Sequence, residues 1–414
     1  MSVTRKQIVV VILMVVALCL AACAPAATPT PQVITKVETK IVEKEVVQVV
    51  TPTPPPAAPL PNEIVIGVEL GMTGASAGYS APMWEGIQLA LEEKPTVLGK
   101  PVRLVLVDDK SDRAEAALAS QRLIEVEKVV AILGSGSSTT AMIESQNTEK
   151  AKIPGLSMSA TNPLVTEGKQ YFSRVCFIDS FQGAMMAKFA IEKLGAKTAV
   201  VNLNIDSDGP VAVGTFFRTS FQTHTKDPKS VLAQLSSHFN DVDFTAQLTT
   251  IKALKPGVVF GAMNYNEAAM MLKQAKQLGI TGAAFMGSDD WQSPELIQIA
   301  GDAAEGAYYS SHYHPDAFTH PRGQQFKEMY TKKYNKPVIG WAALAFDSYG
   351  VMLNAIERAN SLDGTAIAKA IRETKGFVGA TGEININEKG DAIKPVVVCQ
   401  IKGGQETLVG LISP

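Results

Sequence analysis

The chain has 414 residues, of which 46% are hydrophobic and 19% are charged, so it holds enough apolar material for about two or three ordinary domains. The 38 Lys and Arg against 40 Asp and Glu leave a formal net charge of −2, which argues against a nucleic-acid binder and against long disorder. Four cysteines without a Cys-x-x-Cys pair argue against a disulfide-stapled miniprotein and against a zinc ribbon.

The amino-terminal end has the layout of a secretory signal. Arg5 and Lys6 precede an uncharged run at 7–22, whose apolar part is shorter than the roughly 20 residues of a membrane span. The run ends in Leu-Ala-Ala-Cys at 20–23, which resembles the lipobox of bacterial lipoproteins. That resemblance implies a signal peptide at 1–22 and lipidation of Cys23. A plain signal peptide and an uncleaved anchor are the alternatives.

Residues 23–62 have the composition of a tether. The Pro-rich stretches at both ends favour extended polyproline II spacers. The middle, 33–50, is rich in β-branched residues and fits either a short helix or an extended strand. We predict that 23–62 hold a folded body away from a membrane; a leader with no role beyond its length is the alternative.

From residue 63 onward, strand patterns alternate with helix patterns. Strand-like apolar runs lie at 64–70, 102–107, 129–133, 153–158, 198–202, 257–262 and 283–286. Helical patterns lie at 82–93, 113–127, 139–150, 182–194, 214–223, 244–254 and 266–278, and later at 322–334, 341–359 and 364–374. This alternation predicts an α/β fold with parallel sheets covered by helices on both faces. It runs twice, which predicts two domains of similar build, and 382–386 with 396–401 predict a hairpin-like tail.

The loops that follow the strands are the expected ligand-binding positions, because open parallel sheets bind ligands beyond the carboxyl ends of their strands. The segment GSGSSTT at 134–140 combines glycines and hydroxyls at a helix start, where free N–H groups favour an anion such as a carboxylate. It lacks the spacing of a dinucleotide or phosphate loop. Thr161 offers another hydroxyl after the next strand. An ordinary capped turn is the alternative for each loop.

The second half offers an acidic residue at the corresponding place. Asp289 follows the strand at 283–286 and stands close to Trp291, a combination that can hold an ammonium group and cover an alkyl chain. A helix cap is the alternative, and it fits Asp290 better than Asp289. Hydroxyls and amides on one side with a carboxylate on the other suit an amino-acid zwitterion, because burying either charge unpaired is costly.

Seven segments in order resemble the branched-chain amino-acid-binding family, the type I periplasmic solute-binding proteins of ABC importers. They read MTGASAGY, VLVDDKSD, GSGSSTT, SMSATNP, RVCFIDSFQG, FMGSDDW and AFDSYGVMLNAI. The resemblance covers roughly 63–414 and implies a two-lobed fold, each lobe a parallel-rich sheet flanked by helices, joined by three crossovers. It implies that lobe 1 comprises 63–175 plus 309–397, and that lobe 2 comprises 176–308 plus 398–414.

The resemblance also implies a ligand site. Its positions are Tyr79, Ser138, Ser159, Ala160, Thr161, Tyr265 and Asp289. Ser138 and Thr161 would bind the ligand carboxylate through hydroxyl and N–H groups. The Ser159 carbonyl would accept from the ammonium group, Asp289 would pair with it, and Tyr79 would pack on the ligand side chain.

This chain departs from the family pattern at three places. The family often has Glu where Asp289 stands, and it usually has Tyr within 206–209 and near Asn264 and Tyr265. The preference for leucine, isoleucine or valine therefore stays open. A receptor for an amide, a urea, or a small aromatic or carboxylic acid on the same scaffold is the alternative.

A catalytic function and a metal site have less support in the sequence. Ser76 lies in Gly-Ala-Ser-Ala-Gly at 74–78, the pattern of a serine hydrolase elbow, but the helix is expected to start only at about Pro82, too late for such an elbow. His312 and His314 are expected to be structural or to face solvent rather than to bind a metal.

The resemblance places Cys176 and Cys399 near the interdomain crossovers. An exported chain with an even pair of cysteines invites a disulfide between them, and two separate buried thiols are the equal alternative.

We therefore expect an extracytoplasmic solute-binding lipoprotein of an ABC importer, not an enzyme. It would capture a small, branched-chain-like amino acid between its lobes and deliver it to a membrane permease. No cofactor, metal or nucleic acid is expected.

Overall fold

The computed structural model describes residues 60–414, so the predicted signal peptide, Cys23 and nearly all of the tether lie outside the described residues. The strands are β1 Ile64–Leu70, β2 Thr96–Val97, β3 Lys100–Asp108, β4 Ala131–Gly134, β5 Gly155–Ser157, β6 Phe172–Arg174, β7 Ala199–Asn204, β8 Val231–Ser237, β9 Val258–Ala262, β10 Ala284–Gly287, β11 Tyr308–Ser311, β12 Phe377–Gly379, β13 Gly382–Ile386, β14 Ala392–Ile393, β15 Val396–Lys402 and β16 Gln405–Ile412. The α-helices are α1 Ala77–Glu93, α2 Arg113–Glu125, α3 Ser138–Ala151, α4 Asp179–Glu192, α5 Asp208–Thr225, α6 Thr245–Leu254, α7 Tyr265–Gln277, α8 Pro294–Ala300, α9 Pro321–Tyr334, α10 Gly340–Ala359 and α11 Gly364–Arg372.

Two large sheets organise these elements. The first has six strands in the order β2-β3-β1-β4-β5-β6, and all neighbours are parallel except β2 and β3. The second has seven strands in the order β16-β15-β11-β10-β9-β7-β8, parallel from β11 to β8 and antiparallel at β15 and β16. The predicted α/β class with parallel-rich sheets is confirmed.

Strand β1 shows why the sheets are parallel and covered on both faces. Ile66 and Val68 point into the main apolar core, which also contains Met83 of α1. Val65 points the other way, into a cluster with Leu123 of α2. A strand buried on both faces reads as a nearly continuous apolar run, which is how 64–70 reads in the sequence.

Helix α1 begins earlier than predicted. It starts at Ala77 and not near Pro82, directly after a single 3₁₀ turn at Gly74–Ser76. Pro82 therefore lies inside the helix, where its ring removes one backbone hydrogen bond. Tyr79, Met83 and Ile87 recur at helical spacing and are all buried, so tertiary packing holds the first turn in spite of the proline.

The predicted hairpin between 382–386 and 396–401 is wrong. Strand β13 pairs with β12 and β14 in a small three-stranded sheet, whereas β15 pairs with β11 and β16 in the second large sheet. The hairpin partner of β15 is β16. Gly403 and Gly404 join them with φ of 61° and 70°, the left-handed pair that a two-residue hairpin turn requires.

The predicted limits of the lobes fall within two strands of the second sheet. The limit at 308/309 lies in β11, and the limit at 397/398 lies in β15. The lobe limits remain predictions. None of the helices within residues 60–414 combines the length and the apolar character that crossing a membrane requires.

The two cysteines of this region are separate buried thiols, so the disulfide that was considered is not formed. Cys176 follows β6, and its sulfur lies 3.5 Å from the carbonyl oxygen of Ala160. Cys399 lies in β15 opposite Tyr309. Burial raises the pKa of the Cys176 thiol to about 12, which keeps it protonated and unreactive at neutral pH.

Candidate functional site

A cavity of about 70 Å³ lies between the loops that follow the strands of the two sheets. On the side of the first sheet it is lined by Ala75, Ser76, Tyr79, Ser111, Gly136, Ser137, Ser138, Thr139, Ser159 and Thr161, with Trp341 from the start of α10. On the side of the second sheet it is lined by Asp206, Ser207, Gly209, Pro210, Phe239, Asn264, Asp289 and Asp290. Most of these residues follow the carboxyl end of a strand, where parallel sheets bind their ligands.

The structure brings most of the predicted ligand-binding residues together. Those that line the cavity are Tyr79, Ser138, Ser159, Thr161 and Asp289. Ala160 does not line it: its carbonyl oxygen accepts a hydrogen bond of 2.6 Å from Arg174. Tyr265 does not line it either. Asn264 lines the cavity instead of Tyr265. Tyr265 packs edge-on against Tyr79 with ring centroids 5.4 Å apart.

One end of the cavity is built around the start of α3. Ser137 is the N-cap residue, but its side chain makes no capping hydrogen bond. The hydroxyl of Ser138 accepts a hydrogen bond of 3.1 Å from the backbone N–H of Asn162. This contact fixes the loop that carries Thr161 beside the start of α3. A helix start without a side-chain cap keeps its first N–H groups available to an anion.

The opposite end is built around Asp289, which is 4% exposed. Its carboxylate accepts from Gln182 Nε2 at 2.5 Å and lies 2.8 Å from His312 Nε2. Burial lowers the pKa of His312, so this ring is a neutral donor. Both partners of Asp289 are therefore uncharged, and no Lys or Arg is among the described residues that line the cavity. The negative charge of Asp289 has no cation to balance it there.

Two neighbouring carboxyl groups differ from Asp289. Burial, and next the negative charge of Asp289, raise the pKa of Asp179 and of Asp290 well above the ordinary value. Asp290 also lines the cavity, and its carboxyl accepts from the Ser288 hydroxyl at 2.9 Å. These shifts favour the neutral forms of Asp179 and Asp290.

Aromatic rings form one wall of the cavity. The Tyr79 and Trp341 rings meet edge to face with centroids 5.1 Å apart. The Tyr79 hydroxyl donates to the Asp290 carbonyl at 2.9 Å and accepts from the Tyr265 amide at 3.3 Å. Tyr79 is therefore fixed by contacts from both sides of the cavity, ready to pack on a ligand.

The two sides also meet directly next to the cavity. Asp208, at the start of α5, accepts from the Thr139 hydroxyl at 2.9 Å and forms an ion pair with Arg113. Its carbonyl oxygen accepts from the Asn162 side chain at 3.0 Å. These contacts hold the loops of the first sheet against α5, so the structure shows a closed arrangement.

The residues that suggested other chemistry have different surroundings. Ser76 lines the cavity, and α1 does start directly after it, contrary to the prediction. Its amide donates to Ser111 Oγ at 3.0 Å, whereas His312 is bonded to Asp289. His314 lies 4.0 Å from Glu406. Within residues 60–414, no group of three or more His, Cys, Asp or Glu is arranged to hold a metal ion.

Several site residues had no signal in the sequence. Gln182 reaches Asp289 across 107 positions of the chain, and no local pattern marks that pairing. His312 stood out only as one of two alternating histidines, and Trp341 only as the start of a helix. Asn264 stood out only as a position near which the family usually has Tyr, and it lies two residues beyond the end of β9.

With this geometry established, the chain can be placed in a family. Residues 63–406 match the family described as "Periplasmic binding protein", and the chain belongs to it. Its homologues are solute-binding proteins of ABC transporters, an extracytoplasmic and non-enzymatic class, which confirms the prediction that this protein is not an enzyme.

Three individual relatives show which proteins the chain is similar to. A solved leucine-binding protein of Thermotoga maritima is 43% identical, with a TM-score of 0.82, and the match covers 85% of this chain and 99% of that one. A protein of Pseudomonas aeruginosa named "Amino acid binding protein" is 30% identical over 58% of this chain, and the chain spans only 64% of its length. A "Leucine-, isoleucine-, valine-, threonine-, and alanine-binding protein" of the same organism is 26% identical over 77% of this chain and 84% of its own length.

Proposed function

We propose that this protein captures a small amino acid as a zwitterion in the cavity between its lobes and delivers it to an ABC permease. The proposal is carried by one observation. The cavity has the uncapped start of α3 with Ser138 and Thr161 at one end, and the unbalanced carboxylate of Asp289 at the other. The ligand carboxylate takes the first end, and the ligand ammonium takes the second.

The charge distribution explains why both ends of the ligand matter. A hydrogen bond to a charged group contributes about 1.5–3 kcal/mol, and a buried charge without a partner is costly. An anion without an ammonium group would leave Asp289 unbalanced and add a second negative charge to the cavity. A cation without a carboxylate would leave the start of α3 without its anion.

Calorimetric titration of the purified chain with matched ligands tests this proposal. Threonine, alanine and leucine are compared with an amine that lacks the carboxylate and with a hydroxy acid that lacks the ammonium group. We expect at least one amino acid to bind, and both truncated analogues to bind roughly tenfold or more weakly. Tight binding of benzoate or of a simple amide, with no binding of any amino acid, would refute the proposal.

We further propose that the protein is held at the membrane by a lipid on Cys23. The support is the sequence Leu-Ala-Ala-Cys at 20–23 after an apolar run, followed by the Pro-rich stretch up to residue 62. A long tether would let the folded body reach a permease while its lipid stays in the membrane.

A further inference from the structure

The chemistry of the cavity wall indicates which side chain the ligand carries. This step rests on the proposed function, which assigns the start of α3 to the ligand carboxylate and Asp289 to its ammonium group. We infer that the ligand side chain bears a hydroxyl or an amide, so that small polar amino acids are preferred over branched hydrocarbons.

Two serine hydroxyls on opposite sides of the cavity are positioned to bind a hydroxyl or amide of the ligand side chain. Ser137 precedes α3 and Ser207 precedes α5, both at N-cap positions, where serine commonly bonds to its own helix. Neither side chain makes that capping hydrogen bond, and both residues line the cavity. Their hydroxyls are thus available to a ligand.

Asn264 adds an amide on the side of the second sheet. It precedes α7 without capping it, and it is 8% exposed. Its Nδ2 donates to the Ala75 carbonyl at 3.3 Å, which turns the amide toward the loop after β1 and leaves its carbonyl oxygen to accept from a ligand. The family usually has Tyr near this position; here Asn264 lines the cavity, and the neighbouring Tyr265 packs against Tyr79.

The cavity mouth on the same side is also polar. The Asp206 carboxylate accepts from the Phe239 amide at 2.9 Å and pairs with His238 at 2.9 Å. The hydrogen bond from the Phe239 amide, and next the one from His238, lower the pKa of Asp206. Its carboxylate therefore stays ionised at the rim of the cavity. An ionised rim disfavours a hydrocarbon side chain that would cover it.

A branched hydrocarbon would have little to gain in this part of the cavity. Covering Ser137, Ser207 and Asn264 with methyl groups removes water from hydroxyl and amide groups without replacing its hydrogen bonds. A hydroxyl or amide at the same place replaces them.

Threonine and valine provide the test, because they have nearly the same shape and differ in one hydroxyl. Calorimetric titration of the purified full chain should show threonine binding at least about fivefold more tightly than valine, and asparagine more tightly than leucine. Ser207→Ala should reduce the ratio of threonine to valine affinity toward one. Thr219→Ala, on an exposed part of α5, is the matched control and should keep the wild-type ratio.

The outcomes separate the two claims. Valine or leucine binding as tightly as threonine overturns the inference about the side chain and leaves the zwitterion site standing. Absence of binding by every amino acid in the panel overturns the proposed function itself, and the inference with it. A wild-type ratio in the Ser207→Ala chain also overturns the inference, because the hydroxyl then contributes nothing to the choice.

Discussion

Asp289 provides the most direct residue-scale test, because its charge is the feature on which the proposed zwitterion binding depends. The change Asp289→Asn keeps the shape of the side chain and removes the charge, so the two neutral donors, Gln182 and His312, are no longer matched to an anion. We expect amino-acid affinity to fall about 10- to 150-fold, the equivalent of about 1.5–3 kcal/mol for a charged hydrogen bond. Calorimetric titration measures this loss.

A hydroxy acid without an ammonium group is the ligand that separates the roles. Its weaker binding should fall much less in the Asp289→Asn chain than amino-acid binding does. Asp302→Asn is the control, since the Asp302 side chain is exposed and pairs with Lys276 at the surface. Equal losses for the amino acid and the hydroxy acid would contradict an ammonium partner at Asp289.

The residues at the two ends of the cavity differ in how far the sequence predicts them. Ser138, Thr161 and Asp289 each lie two to four residues beyond the end of a recognisable strand, so their position at the carboxyl end of a sheet is predictable from local pattern. Gln182 and His312 reach Asp289 from distant parts of the chain, and only the packed structure brings them together. The sequence therefore could not show that both hydrogen-bond partners of Asp289 are uncharged.

At the scale of elements, strand β1 and helix α3 each carry a buried acid, and the charge of Glu144 acts on Glu69. Glu69 of β1 and Glu144 of α3 are both 0% exposed, and none of their carboxylate oxygens has a hydrogen-bond partner among residues 60–414. Burial raises the pKa of Glu69 and of Glu144, with the negative charges of their neighbours, Asp109 included, as the next cause. The Glu144 carboxylate lies against Gly134, at the start of the loop that leads to Ser138.

These raised pKa values predict a pH dependence of stability. The folded chain binds more protons at this pair than the unfolded chain does. The pair therefore does not lower the free energy of unfolding below the ordinary carboxyl pKa of about 4.5. Stability is lost as the pH rises from there toward the raised values. Glu69→Gln removes this loss, and we expect it to raise the melting temperature at pH 8 by about 2–4 °C and much less at pH 5. Thermal unfolding at both pH values measures it.

Glu125→Gln is the matched control for the buried acid, because Glu125 is exposed at the end of α2. It should shift the melting temperature equally little at both pH values. A Glu69→Gln chain with the same change in melting temperature at pH 5 and pH 8 would show that Glu69 does not bind an extra proton on folding.

The pairing of elements late in the chain shows a second limit of the sequence. The pattern marks β13 and β15 as strands correctly, but strand character alone does not select a partner. The Gly403-Gly404 turn would have directed β15 to β16, because two residues with positive φ fit a two-residue hairpin. The chain crosses from the small sheet to the second large sheet at 394–395, between β14 and β15.

At the scale of the whole molecule, the proposed lipid anchor predicts a change of location. In the Cys23→Ser chain no thiol is available at the cleavage site, so we expect the protein to move from the membrane fraction to the soluble extracytoplasmic fraction. Fractionation of cells followed by immunoblotting measures it. Cys399→Ser, which changes a buried thiol of the body, is the control and should stay in the membrane fraction. A Cys23→Ser protein that remains with the membranes would contradict the lipid.

The overall architecture was predictable because it depends on a repeated pattern rather than on single residues. Each alternation of strand and helix adds one parallel strand to a sheet, and the pattern runs twice, so two sheets follow from the order of elements alone. The contacts between the two sides had no such pattern. Asp208 meets Arg113 and Thr139 only because the start of α5 faces the starts of α2 and α3 in the closed molecule.

Those contacts of Asp208 predict how closure contributes to affinity. Asp208 itself does not line the cavity, so Asp208→Ala should weaken the closed state without changing the groups that recognise the ligand. Arg113 and Asp208 are partly exposed, which limits the ion pair to about 0.5 kcal/mol, and the Thr139 hydrogen bond adds about 1 kcal/mol. Since a ligand that prefers the closed state must supply any free energy that closure lacks, all ligands should bind about 3- to 12-fold more weakly.

The ratio of affinities between two ligands separates closure from recognition. In the Asp208→Ala chain the ratio of threonine to valine affinity should equal that of the wild type, even though both affinities fall. Asp227→Ala, an exposed change just beyond α5, is the control and should leave both affinities at their wild-type values. A changed ratio would mean that Asp208 takes part in recognition, and unchanged affinities would mean that its contacts with Thr139 and Arg113 do not stabilise the closed arrangement to which the ligand binds.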